Sequence, residues 1–371
     1  MSSGADSRRP GPEGRPGGSP GDAPARDGAG AGGAAGGEAR GAAAGATGEG
    51  SGAAVAALEA RGLEKRFGPV TALRGLSFAV TPGELYGLVG PDGAGKTTAI
   101  RALAGLLEPD AGEARVLGRD PLTSGGEVRE WLGLMPQQYS LYRDLTVAEN
   151  LRFFSRLYVL PRAAFEERSR RLLAITRLER FTGRRADALS GGMYKKLALA
   201  CALLHQPRVL LLDEPTNGVD PVSRRELWAL LHEFVEGGMT VLVSTPYMDE
   251  AERCGRVGLI HAGRLLLEGA PRALLGGLEE EVYEVSGGER EAVEELLARL
   301  PEVRAVSPAG SRLRADVERG GGERVRAALA PLGGELRAVA PGFEDLFLSR
   351  IRREEARGAG SPAASPEAPA P

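Results

Sequence analysis

Two cysteines, three histidines and four lysines in 371 residues restrict the chemistry open to this chain. Cys201 and Cys254 lie in apolar or helical stretches without metal-ligand spacing, which argues against a disulfide framework or a zinc site and suits a reducing compartment. No apolar run approaches the roughly 20 residues needed to cross a bilayer, and the N-terminus has no apolar core of the secretory kind. A cytosolic chain is expected. The formal charge of −3 and the pI near 5.9 offer no basic footprint, so a nucleic-acid partner is not expected. Arginine has displaced lysine except at Lys65, Lys96, Lys195 and Lys196. The survival of Lys96 fits a position that requires a slim ammonium.

Glycine, by contrast, is plentiful, with 54 residues, and its distribution divides the chain. Residues 1–57 are mostly Gly, Ala, Pro and Ser; they cannot bury enough apolar surface to offset ordering entropy and are expected to be a disordered tail. Residues 353–371 repeat that composition and the expectation. Residues 58–277 alternate Val- and Leu-rich strands with helical segments, the pattern of an α/β domain. Over 278–352, strands at Glu281–Ser286, Val303–Val306, Leu313–Val317 and Glu335–Val339 alternate with helices at Glu289–Leu300 and Glu323–Leu332. Two β-α-β halves of this size predict a small α+β, ferredoxin-like accessory domain.

One glycine cluster carries chemistry. Gly90-Pro91-Asp92-Gly93-Ala94-Gly95-Lys96-Thr97-Thr98 is a complete phosphate-binding loop, preceded by a buried strand, Leu85–Val89, and followed by helical spacing from Ala99 to Leu107. The glycines let backbone N–H groups point at phosphates from a helix N-terminus. Lys96 would reach the β- and γ-phosphates, and the Thr97 hydroxyl would ligate Mg²⁺. Further on, Val209–Asp213 reads as an apolar strand that ends on Asp213-Glu214. In such a pair the first carboxylate holds Mg²⁺ through water and the second polarises an attacking water. Before it, Leu189-Ser190-Gly191-Gly192-Met193 opens a long helix, with Ser190 placed as its N-cap.

The order and spacing of these three segments, over roughly residues 58–270, resemble the ATP-binding-cassette (ABC) ATPase family. The resemblance implies a P-loop cassette with a helical subdomain. It also implies ATP and Mg²⁺ as ligands, Glu214 as the catalytic carboxylate, and Thr97, Asp213 and Gln137 around the metal. Phe67 falls where the family stacks an aromatic on adenine, and Gln137 where a glutamine links nucleotide state to the membrane partner; Gln138 is the alternative register. The stretch Ser140–Val147 and the helices to about Arg185 are similar to the subdomain that receives a helix from the membrane subunit. Asp220 matches the acid of the loop at the dimer interface. The phrases Asn217-Gly218-Val219-Asp220 and Tyr247-Met248-Asp249-Glu250-Ala251-Glu252 look most like the drug-exporter (daunorubicin-resistance-like) branch, in which ATPase and membrane parts are separate chains.

On that resemblance, two cassettes pair head to tail, as a homodimer or heterodimer, and sandwich two ATP molecules. Ser190, Gly191 and Gly192 of one chain serve the nucleotide of the other. A polytopic permease subunit would hold the pair at the cytoplasmic face of the membrane. The chain departs from the family at Pro246, where a histidine normally contacts the γ-phosphate; proline has no donor to replace it. His205, His232 and His261 lie in other segments. Three readings follow: an ATPase aided by water or Tyr247, a partner that completes another cassette's site, or a nucleotide-gated subunit without turnover. Retention of Glu214 favours the first. A soluble ABC protein acting on DNA or ribosomes is the remaining alternative; the chain lacks the long coiled coil, second cassette and basic linkers of such proteins.

Overall fold

The computed structural model describes residues 55–138 and 141–359. The expected N-terminal tail up to residue 54, residues 360–371 and the Tyr139-Ser140 pair lie outside these. In chain order the elements begin with strands β1 (Leu58–Phe67), β2 (Val70–Val80) and β3 (Leu85–Val89), then helix α1 (Lys96–Leu103) and strand β4 (Ala111–Val116). Helix α2 (Gly125–Trp131), strand β5 (Leu132–Met135) and helices α3 (Val147–Leu157), α4 (Arg162–Thr176) and α5 (Gly191–Leu203) follow. Strand β6 (Val209–Asp213), helix α6 (Pro221–Glu236) and strand β7 (Thr240–Thr245) lead to strands β8 (Arg256–His261) and β9 (Arg264–Gly269) and helix α7 (Pro271–Gly276).

A six-stranded sheet in the order β5-β6-β7-β3-β8-β9 forms the centre. Its first five strands are parallel and β9 is antiparallel to β8. Parallel strands covered on both faces read as unbroken apolar runs, and β6 shows why. Leu210 and Leu212 enter the core shared with α3, α5 and α6, while Val209 and Leu211 enter the core beneath α1 and the β2-β1-β4 sheet. Tyr86 and Leu88 of β3 likewise face the second core, and Leu85 and Val89 the first. This pattern brings the phosphate loop after β3 beside the carboxyl ends of β6 and β7, where α/β sheets bind ligands.

The helical insertion is pinned locally. Thr146 caps α3 in a reciprocal capping box with Glu149. Buried Asn150 donates to the carbonyls of Tyr142, Leu145 and Thr146 and accepts from the Tyr142 N–H, which fixes the segment leading into α3.

Beyond Leu278 come β10 (Glu280–Ser286), α8 (Arg290–Arg299), β11 (Val303–Ala309), β12 (Arg312–Glu318), α9 (Gly322–Leu329), β13 (Glu335–Val339) and α10 (Phe343–Ala359). The strands form an antiparallel sheet in the order β11-β12-β10-β13, so the element order is β-α-β-β-α-β. Val293 and Leu297 of α8 and Val325 and Leu329 of α9 share a core with Val285, Leu313 and Ala315. Helix α10 continues to Ala359, past Arg353 where the sequence composition had suggested a tail.

Candidate functional site

The phosphate loop closes on itself around Lys96. Its ammonium donates to the carbonyls of Gly90 at 2.8 Å and Pro91 at 3.0 Å, and lies 3.6 Å from Glu214 Oε1 and 3.9 Å from Asp92 Oδ1. Lys96, Asp213 and Glu214 are each no more than 3% exposed. Gly95 caps α1 at φ 108, and a Cβ there would stand 2.5 Å from the Ala72 carbonyl oxygen. The loop can therefore seat against β2 only with glycine at this position. Among the described residues no side chain caps α1, and first-turn N–H groups of a helix suit an anion. The Gly90 N–H donates to the Thr245 carbonyl at 3.2 Å, which joins the start of the loop to the end of β7.

The carboxylates are held by groups from several elements. Asp213 Oδ1 accepts from Thr97 Oγ1 at 3.2 Å and from Ser244 Oγ at 2.6 Å. Glu214 follows with φ 49, a left-handed conformation that costs a residue with a Cβ about 1–2 kcal/mol. Its N–H is shared between Ser244 Oγ and the Ser244 carbonyl, both at 3.1 Å. Its Oε2 accepts from Gln137 Nε2 at 2.8 Å and from Asn217 Nδ2 at 3.2 Å. Lys96, Thr97, Gln137, Asp213 and Glu214 thus converge, although Gln137 meets the carboxylate Glu214 directly.

These groups suit a triphosphate with a hard cation. Among the described residues no cluster of three His, Cys, Asp or Glu side chains could cage a metal. The Thr97 hydroxyl and Asp213 would instead hold such a cation together with water and phosphate oxygens, as suits Mg²⁺.

The other expected residues take the following places. Phe67 ends β1 with 48% of its surface exposed, and the Lys65 ammonium is 5.9 Å from its ring centroid. Pro91, Asp92, Gly93, Ala94 and Thr98 complete the loop and the first turn of α1. Exposed Ser190 caps α5 by accepting from the Met193 N–H at 3.3 Å. Gly192 is where α5 meets α6: a Cβ there would stand 2.3 Å from Ser223 Oγ. Gly191 precedes it at the exposed start of the helix. Asp220 caps α6, with Oδ1 accepting from the N–H groups of Val222 and Ser223 at 3.0 Å each. The bonds from Ser223 hold its carboxyl below the usual range.

Pro246 follows β7 and lines a cavity of about 550 Å³ with Tyr247, Arg314, Phe343 and Asp345. The Arg224 guanidinium covers the Tyr247 ring at 4.3 Å. Sequence reasoning gave no role to Ser244 or Lys195, and set Asn217 and Glu250 only within the phrases that mark the dimer loop and the exporter branch. Ser244 and Glu250 carried a usable signal, since polar groups buried next to apolar strands must find partners.

The profile of the family described as ABC transporter matches residues 73–217. Probable multidrug ABC transporter ATP-binding protein YbhF of Escherichia coli is 43% identical over 302 residues, covering 80% of this chain and 52% of its own length. The chain therefore spans about half of that relative. Nod factor export ATP-binding protein I of a Rhizobium strain is 38% identical over 307 residues, covering 80% of this chain and 98% of that protein. A dimeric bacterial ABC transporter cassette superposes with a TM-score of 0.53 at 26% identity, covering 57% of this chain and 98% of that one. With the loop, the paired carboxylates and the capped signature helix in one fold, the chain belongs to the ABC transporter family, as one of its ATP-binding cassettes.

Proposed function

We propose that this chain binds ATP with Mg²⁺ and hydrolyses it in a head-to-tail pair of cassettes, driving export by a separate membrane subunit. The observation that carries the reading is the convergence of Lys96, Thr97, Asp213 and Glu214 at the carboxyl ends of β3 and β6. Lys96 and the uncapped first turn of α1 hold the phosphates. Bound Mg²⁺, held through Thr97 and Asp213, would neutralise charge on the phosphate oxygens. Glu214 orients the attacking water, and its other oxygen stays engaged by Gln137 and Asn217. Ser190 reaches across the pair to the partner's γ-phosphate, which its exposure at the start of α5 allows.

Export is favoured by the names of the relatives. No described helix is long and apolar enough to cross a membrane; in this reading a permease supplies the path and selects the substrate. Its contact would fall in the cleft of about 890 Å³ lined by Leu106, Trp131, Leu157, Tyr158 and Val159. Leu106, Leu157 and Val159 are each more than half exposed there. The chain would then sit at the cytoplasmic face.

Pro246 supports a second reading, in which nucleotide is bound but turned over slowly. Losing one positioned polar group costs roughly 10²–10³ in rate, and the Tyr247 ring is already covered by Arg224. ATP turnover by wild type, Glu214→Gln and Pro246→His separates the two. Glu214-dependent turnover in the wild type supports the first; turnover only in the histidine variant establishes the second. Binding of DNA or ribosomes without a membrane partner would displace both.

A further inference from the structure

The start of α5 lies along the segment from Glu214 to Ser223. A side chain at Gly191 would come within 3.0 Å of the Gly218 carbonyl oxygen, and Gly192 abuts Ser223 as described above. One turn further on, half-buried Lys195 extends its ammonium to the main-chain carbonyl of Glu214, at 3.3 Å. Burial lowers the pKa of Lys195, while the nearby charges of Glu214 and Asp213 act in the opposite direction.

The Glu214 peptide needs such a hold, because its left-handed φ is disfavoured for any residue with a Cβ. Ser244 secures the N–H side. On the carbonyl side the only loop contribution among the described residues is the Asn217 N–H at 3.2 Å, and Lys195 adds a charge-assisted bond from a different element. That element is the helix whose first turn carries the Ser190 signature.

We propose that Lys195 is a positioning residue that makes the aim of the Glu214 carboxylate depend on where the signature helix sits. The inference rests on the reading of Glu214 as the carboxylate that orients the attacking water and of Ser190 as acting across a cassette pair. In such a pair Ser190 engages the partner's nucleotide, whereas Glu214 serves the one held by Lys96 of its own chain. A displacement of α5 at one site is therefore delivered to the carboxylate of the other. The two sites become coupled through a single side chain.

Lys195→Met removes the donor at similar length, and Lys195→Arg keeps a cation. Hydrogen exchange on the nucleotide-free full chain reads the tether directly. Amides of residues 214–219 should exchange about ten-fold faster in Lys195→Met, with the β6 strand unchanged and Lys195→Arg close to wild type. In steady-state turnover, kcat should fall roughly ten- to a hundred-fold with KM within two-fold, the Hill coefficient for ATP should drop towards 1, and Lys195→Arg should recover both. Unchanged exchange overturns the tether. Faster exchange with unchanged kcat and Hill coefficient, or parallel losses in KM, kcat and melting temperature, overturns the positioning role. Absence of Glu214-dependent turnover in wild type defeats the underlying ATPase reading instead, and the exchange result still decides whether Lys195 holds the Glu214 peptide.

Discussion

Trp228 donates its indole N–H to Glu250 at 3.2 Å, and Glu250 is a carboxylate with no solvent exposure. The other Glu250 oxygen accepts from Thr216 Oγ1 at 3.1 Å and Thr245 Oγ1 at 2.6 Å, and Arg224 Nε lies 3.6 Å from the first. One side chain thus ties the ends of β6 and β7 to α6, next to Pro246. Glu250→Ala strands these donors and the Arg224 charge and is expected to cost about 3–5 kcal/mol. Glu250→Gln, which keeps an acceptor, should cost less. Urea unfolding checks both, and an alanine variant as stable as wild type would remove Glu250 from this role.

Gly192 is the contact point of α5 and α6. Gly192→Ala gains helix propensity of about 1 kcal/mol but presses a methyl onto Ser223, an overpacking cost of about 1–3 kcal/mol. Net destabilisation is expected, with recovery when Ser223→Gly is added. A double-mutant cycle with no coupling between the two positions would contradict the contact.

Phe67 presents an exposed aromatic face at the end of β1. Phe67→Ala should weaken ATP binding by about 1 kcal/mol, close to five-fold, and leave tripolyphosphate binding unchanged. Phe67→Trp should retain ATP affinity. Equal losses for both ligands would place the adenine elsewhere.

His205 accounts for a pH dependence. Its Nε2 lies 3.1 Å from the Leu132 carbonyl, its ring stacks on Tyr158 at 3.9 Å between centroids, and its buried Nδ1 has no hydrogen-bond partner among the described residues. Burial lowers its pKa; the Leu132 carbonyl pulls it up and the Arg168 charge pushes it further down. The unfolded chain therefore takes up the proton at higher pH than the folded one, so stability falls as pH drops below about 6.5 and is level above it. His205→Phe keeps the stack and should flatten that limb. Melting temperatures between about pH 5 and 7.5 measure the difference.

Much of the site was legible because it is local. The phosphate loop, the Ser190 cap and the acidic end of β6 each occupy a few consecutive residues whose types dictate their geometry. The bounds shifted where a neighbour decided them: α1 runs Lys96–Leu103 rather than Ala99–Leu107, since the loop itself ends on the Gly95 cap. Helix α9 gives way at Ala330 to a single 3₁₀ turn that contains Pro331. The contacts that orient Glu214 were not legible. Gln137, Ser244 and Lys195 meet it only after β5, β6 and β7 have paired and α5 has packed, and no spacing along the chain encodes that.

The apolar cluster beneath α6 does not stop at the cassette. Leu278, Val282, Phe343 and Leu346 share it with Ala251, Cys254, Val257 and Leu259. A chain cut near Gly277 would bare that surface to water and self-associate. Any fusion, tandem duplication or expression boundary must therefore carry the segment through α10, and insertions are better tolerated at the β11–β12 turn, where Gly310 is unencumbered.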